Sequence, residues 1–280
     1  MARRPAALAL ALLSAAAPAC RSGGQEGDRV EVVAGFARLA ELASAVGGDR
    51  VRVRDVTPPG AEPHDVELST EDVDAVLDAD LVLYLGEDFQ PGLAEAATRA
   101  ERAVDLLTPE DGDDPHIWLD PLRFAVAVER VEDALVSVDP PGAPAHRQRS
   151  EALRSELDRL HGDYEAGLRQ CQRRVIVTAH DAFARLAQRY RLEQEPLTGI
   201  SPAAEPDPAR LAELADLVRR RGVTHVFTEQ LVSPRVAEAL AREAGVRTAV
   251  LDPLEGRVDG GYAAGMRRNL GVLRSVLGCA

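Results

Sequence analysis

Lysine is absent from this 280-residue chain, so all 33 basic residues are arginine. No Schiff-base lysine and no phosphate loop of the Walker type can therefore be built, because both need a lysine ammonium at a fixed place. Positive charge is also in deficit: 46 acidic residues face those 33, and the formal charge is −13. Nucleic acid demands a concentrated basic face, none is visible, and no nucleic-acid partner is expected; cations are the natural ligands. There is no long low-complexity tract, no HExxH motif, and only three cysteines and six histidines. What remains is a foldable composition, 45% hydrophobic and 28% charged, with room for two domains of ordinary size.

The one long apolar stretch comes first. Arg3 and Arg4 precede ALALALLSAAAPA and then Cys20. A charged start before a short, alanine-rich apolar run has the form of an export signal over residues 1–19 rather than a membrane span. We read Cys20 as the acylated residue of a lipoprotein, with residues 20–28 (beginning CRSGGQ) as a flexible tether. Ala17, Pro18 and Ala19 also fit an A-x-A cleavage site, which would leave a soluble secreted or periplasmic protein. Cys171 and Cys279 remain: in an oxidising compartment they can pair, or they can be free thiols.

From Val30 short apolar runs alternate with amphipathic stretches, the pattern of an α/β protein with mostly parallel strands. Strands are expected at 30–35, 51–56, 81–85 and 104–107, then at 175–179, 224–229 and 248–252. Between the two series PPGAP (140–144) breaks the chain. Leu153, Leu157, Leu160, Tyr164 and Leu168 then recur at helical spacing, so one helix is expected from about Ala145 to Gln170, roughly 40 Å long. The organisation read from this is an N-terminal lobe (29–142), a linker helix (143–170) and a C-terminal lobe (171–280). Asp207, Pro208 and Gly222 mark the cap, first turn and end of a further helix. DAVLDADLVLYLGE and AELADLVRRRGVTHVFTE form a weak internal repeat.

Ligands of open α/β sheets bind beyond the carboxyl ends of the strands. His64, His116, His180 and Asp252 all fall there, two from each lobe. Three imidazoles and one carboxylate make a closed tetrahedral donor set for Zn²⁺, which leaves no open position for a catalytic water. Pro63, Pro115 and Pro253 stiffen the backbone beside three of the four. Each has an ordinary alternative, His116 as a packed core residue and His180 as the start of a capped helix. Asp120 and Asp181 are read as helix caps. Glu229 competes with Asp252 for the fourth position and is otherwise an acceptor that orients a ligand imidazole. His225 is read as structural, and His146 and His161 as solvated on the linker helix. Neutral imidazoles should bind metal near pH 7 and lose it through about pH 6.

The segments PPGAEPHDVELS, ADLVLYLGE, DPHIWLDP, VIVTAHDAF, GISPAAEPDPARLAEL and LDPL with GYAAGMRRNL resemble the metal-specific solute-binding proteins of ABC importers, the zinc- and manganese-binding cluster that includes zinc-uptake receptors. The resemblance runs from about Val30 to Leu270. It implies two α/β lobes joined by one rigid helix, with metal between them held by His64, His116, His180 and the acid of LDPL, Asp252. Manganese-type relatives carry glutamate where His180 stands, so histidine points to zinc. Two departures stand out. ARLAQRY follows HDAF where an aromatic is usual, so Arg185 should alter the packing beside His180. The loop before DPH is PEDGDD (109–114), without histidine, and is read as a solvated charge run. The function implied is an extracytoplasmic zinc receptor, monomeric and lipid-anchored, that hands Zn²⁺ to an ABC permease without catalysis. The alternatives are a manganese receptor or metal-dependent adhesin of the same fold, and a secreted zinc hydrolase with Glu229 as base.

Overall fold

The computed structural model of the chain describes residues 29–203 and 207–280. The export signal, Cys20 and the tether expected over residues 1–28 lie outside them. The N-terminal part interleaves β1 (Val30–Ala34), α1 (Ala37–Gly47), β2 (Val51–Asp55), α2 (Thr70–Asp78), β3 (Leu81–Tyr84), α3 (Pro91–Ala97), β4 (Ala103–Asp105) and α4 (Pro121–Val138). Then comes α5 (Ala143–Leu168). The C-terminal part follows with β5 (Val175–Thr178), α6 (Ala184–Arg189), β6 (Glu193–Pro196), α7 (Pro208–Arg221), β7 (His225–Thr228), α8 (Arg235–Ala244), β8 (Arg247–Val250) and α9 (Gly261–Leu277).

Each part contains one all-parallel sheet of four strands, in the orders β2-β1-β3-β4 and β6-β5-β7-β8. The two orders are the same permutation, so the weak sequence repeat has a topological counterpart. The central strands β1, β3, β5 and β7 are mostly β-branched and apolar residues buried on both faces, with half-buried Glu31 and His225 near two strand starts, as parallel strands covered by helices must be. β6, with the sequence EQEP, had no apolar signal; it is an edge strand whose pairing to β5 is backbone-driven and whose side chains stay partly exposed.

The apolar stripe on α5 forms as spaced: Leu157, Leu160, Tyr164 and Leu168 are buried, and the helix packs on α1, α4 and α9. These contacts make the main core continuous across both lobes, from Val32 and Leu83 through Leu160 to Ile176, Phe183 and Leu273. Smaller apolar clusters close the outer face of each sheet. His146, expected in solvent, is instead fully buried. Its Nε2 lies 2.9 Å from Asp139 Oδ2 and its Nδ1 3.2 Å from the Val46 carbonyl, so the first turn of α5 is fastened to α1 and to the end of α4. His161 is partly covered by Tyr190, with Nδ1 3.2 Å from the hydroxyl.

Helix ends follow their sequence signals where a short polar side chain can reach the backbone. Asp207 accepts from the Ala209 N–H at 2.9 Å, and Gly222 ends α7 with φ 63°, a left-handed conformation that costs glycine nothing. Asp120 caps α4 through the Leu122 N–H at 3.1 Å. Asp181 caps nothing: α6 begins after Phe183 without a side-chain cap. Cys171 and Cys279 are joined by a disulfide that ties the end of α5 to the C-terminus, closing a 108-residue separation.

Candidate metal centre

His64 sits on a single 3-10 turn, Pro63–Asp65, beyond β2. Pro63 presets φ there, and Glu62 accepts the His64 N–H at 3.4 Å. His116 lies beyond β4, entering a short turn whose Trp118 is completely buried. His180 comes immediately after β5, with Thr178 Oγ1 donating to its carbonyl at 2.8 Å. Three aromatic rings, Phe36, Phe89 and Trp118, pack on one another, and Phe89 and Trp118 also pack on His64 and His116 respectively, as in the edge-on contact of Phe89 with His64 at 4.5 Å between ring centres.

The three imidazoles converge, and the carboxylate they meet is that of Glu255. Oε1 of Glu255 lies 3.7 Å from His64 Nε2, 3.6 Å from His116 Nε2 and 3.5 Å from His180 Nε2. One donor atom from each of the four residues falls within 4.8 Å of every other. Tetrahedral ligands 2.0–2.1 Å from a zinc ion lie roughly 3.3–3.4 Å apart, so the three imidazole-to-carboxylate contacts are within a few tenths of an ångström of that spacing, and the four donors together would draw in from their 4.8 Å envelope to close the shell. The three Nε2 atoms and both Glu255 oxygens are buried and, among the described residues, have no hydrogen-bond partner. Buried polar atoms are almost always satisfied, and five orphans aimed at one point mark a place built for a cation.

Asp252, the expected fourth ligand, is not in this group, and the reason is local. Its Oδ1 accepts the Leu254 N–H at 2.8 Å, a turn closed on its own backbone. Buried Asn269 holds the backbone of the same residue on both sides, donating to the Asp252 carbonyl at 2.6 Å and accepting its N–H at 3.1 Å. Leu254 then takes φ 61°, unusual for a branched side chain, and this swing carries Glu255 into the centre. The loop is further held by Trp118 Nε1, which donates to the Pro253 carbonyl at 2.6 Å, and by Arg38, which donates to the Gly256 carbonyl at 3.0 Å. An Asp before Pro that closes its own turn was the available signal: the next acid along, Glu255, is the free one.

Each buried imidazole nitrogen that faces away from the centre is oriented where a carboxylate reaches it. Glu229 Oε2 accepts from His180 Nδ1 at 2.7 Å, and its other oxygen faces the His180 N–H at 3.3 Å. Asp114 Oδ1 lies 2.9 Å from His116 Nδ1 and accepts the His116 N–H at 3.0 Å. Asp114 belongs to the loop read as a solvated charge run, and that reading holds only for Glu110 and Asp113, which are exposed: Asp111 is buried, and Arg123 and Arg185 pair with Asp111 and Asp114. Arg185 does pack beside the centre, through this loop.

The electrostatics follow from burial and from this pairing. Burial pulls His180 down, but Glu229 and Glu255 outweigh it and raise its pKa to about 10. His116 is likewise raised, burial being overcome by Asp114 and Glu255. His64, for which burial dominates, is lowered. Burial opposes ionisation of Glu255, yet the three imidazoles facing it hold it well below the usual carboxylate range. Glu62 is pushed up to about 8, by burial and by the negative Glu255. Without metal the centre therefore holds protons at neutral pH, which a cation must displace, and the expected midpoint near pH 6 does not apply to His180.

No helix among the described residues is long and apolar enough to cross a membrane. The family model of the periplasmic component A of the zinc-uptake complex, ZnuA, matches residues 32–276. The zinc-binding lipoprotein AdcA of Streptococcus pneumoniae is 32% identical, over 91% of this chain and 57% of that protein, so the chain spans a little over half of that relative's length. The Zn(II)-bound ZnuA-like domain of S. pneumoniae AdcA superimposes with a TM-score of 0.75 at 32% identity, covering 89% of this chain and 99% of that one. The laminin-binding protein Lmb of Streptococcus agalactiae, described as bifunctional with adhesin and metal transporting activity, gives 0.83 at 30% identity, with coverage of 89% and 99%. With a match across both sheets and α5, this chain belongs to the family of the periplasmic component A of zinc-uptake complexes.

Proposed function

We propose that this protein is the extracytoplasmic receptor of a zinc importer. It takes Zn²⁺ as cargo on His64, His116, His180 and Glu255 and passes it to an ABC permease. The observation that carries the reading is the convergence of four buried, otherwise unpartnered donors within 4.8 Å of one another. The donor set favours zinc over manganese, since three imidazoles suit a borderline-soft, four-coordinate ion and manganese favours oxygen ligands. It also favours a receptor over a hydrolase: four protein donors complete a tetrahedron, and Glu229, the base a hydrolase would need, is engaged with His180 at 2.7 Å.

The Cys171–Cys279 disulfide supports an oxidising compartment, and Cys20 is the residue we assign to a lipid anchor. The units we assign are the lobes at 29–142 and 171–280, with 143–170 as the helix between them. Elemental analysis of protein purified without chelator tests the reading. One zinc per chain is expected, retained against excess Mn²⁺; protein that comes through metal-free and binds Zn²⁺ no tighter than Mn²⁺ would refute it.

A further inference from the structure

Arg185 lies on the first turn of α6, in the segment that begins with His180, and its side chain crosses to the other lobe. It is 8% exposed. There Nη2 donates to the Asp111 carbonyl and, at 2.9 Å, to that of Asp114. Nε lies 3.0 Å from Asp114 Oδ2, and Nη1 3.7 Å from Asp111 Oδ1. The second oxygen of Asp114 faces His116 Nδ1 at 2.9 Å. One line of contacts thus runs from the guanidinium through the Asp114 carboxylate to the His116 imidazole, whose Nε2 points at Glu255. Its two ends belong to the segments that carry His180 and His116.

The planar guanidinium suits this place, because Nη2 donates to two carbonyls while Nε sits against the Asp114 carboxylate as a close ion pair without hydrogen-bond geometry, an arrangement a lysine ammonium on a flexible stem cannot reproduce. Held on one oxygen by Arg185, Asp114 presents the other to His116 in one orientation, and the imidazole is fixed with it. Parting the lobes at this point would strip a buried guanidinium of its partners before water replaces them, which raises the barrier to opening. Arg189, on the same helix, makes a separate crossing to Asp120 at 2.8 Å, so loss of the Arg185 guanidinium leaves the lobes in register.

We propose that Arg185 is a positioning residue of the metal centre and a latch between the lobes that slows release of the bound ion. The proposal rests on the zinc-receptor reading. The test is zinc release from the full chain into excess chelator, followed by stopped flow, for the parent, Arg185→Met, Arg185→Lys, Asp114→Asn and the Arg185→Met/Asp114→Asn pair. Melting of each metal-free protein is measured alongside. Arg185→Met and Asp114→Asn are each expected to speed release about 10- to 100-fold, the range for lost outer contacts to a ligand. The pair should fall well short of the product of the two, and Arg185→Lys should recover the parental rate only in part.

A purely architectural arginine would lower the melting temperature and leave the release rate alone, and that result would overturn the proposal, as would strictly multiplicative effects in the pair. If Arg185→Met does not fold, Arg185→Lys and Asp114→Asn decide, and parental release from both overturns it. A parent chain that binds no zinc would instead sink the receptor reading.

Discussion

Exchanging Glu255 and Asp252 in turn for their amides separates the ligand from the turn-former. Four donors of a closed zinc shell together supply about 10–16 kcal/mol near neutral pH, so one of them accounts for about 3 kcal/mol. Glu255→Gln keeps the shape and a weak carbonyl donor but removes the charge that all three imidazoles face at 3.5–3.7 Å. Part of the loss is offset, because His180 then gives up its proton more readily with one acidic neighbour fewer. About 3 kcal/mol at 1.4 kcal/mol per decade is roughly a hundredfold, so with the offset the net expectation is zinc binding weaker by about 30- to 100-fold. Asp252→Asn should bind within about threefold of the parent, since an amide oxygen still accepts the Leu254 N–H and closes the same turn. Competition against a chromophoric chelator at fixed pH measures both. If Asp252→Asn loses as much as Glu255→Gln, the geometry of the centre described here is wrong.

Zinc affinity should rise with pH well above neutrality. His180 is protonated in the metal-free centre up to about pH 10 and unprotonated when bound, so binding releases at least one proton and strengthens about tenfold per pH unit between 7 and 9. A flat profile over that window, by the same competition assay, would contradict it. Reducing the Cys171–Cys279 bond, or replacing both cysteines by serine, should cost about 2–5 kcal/mol by denaturant unfolding, as the 108-residue loop becomes unconstrained in the unfolded chain. Asp139, held down to about 2 first by Arg50 and then by His146, adds about 2 kcal/mol of stability. Its folded pKa is depressed, so this share is present above the unfolded value near 4 and disappears as pH falls through about 2. Asp139→Asn should remove it at neutral pH and blunt the acid limb of unfolding.

The α/β architecture, the long helix and the places of His64, His116 and His180 were legible in the chain because they rest on local or periodic signals. Alternating apolar runs mark the strands, a helical stripe marks α5, and histidine is rare enough here that three at strand ends carry weight. The polar edge strand β6 carried no such signal, since its pairing comes from the backbone. His146 was misplaced because a single polar residue on a helix face looks the same whether it meets water or, as here, Asp139 and the Val46 carbonyl. In the acidic loop Asp111 and Asp114 were misread because their neutralising partners, Arg123 and Arg185, stand elsewhere in the sequence.

By itself, then, the order of residues determined which side chains reach the carboxyl edges of two parallel sheets, since strand, turn and helix preferences act over a few neighbours. Only the tertiary structure decided which carboxylate completes the centre and which arginine stands behind it. Asp252 and Glu255 differ by one turn of backbone, and that turn is held by Asn269, 17 positions on in the same lobe, and by Trp118 and Arg38, whose contacts span 135 and 218 positions and exist only once both lobes have packed.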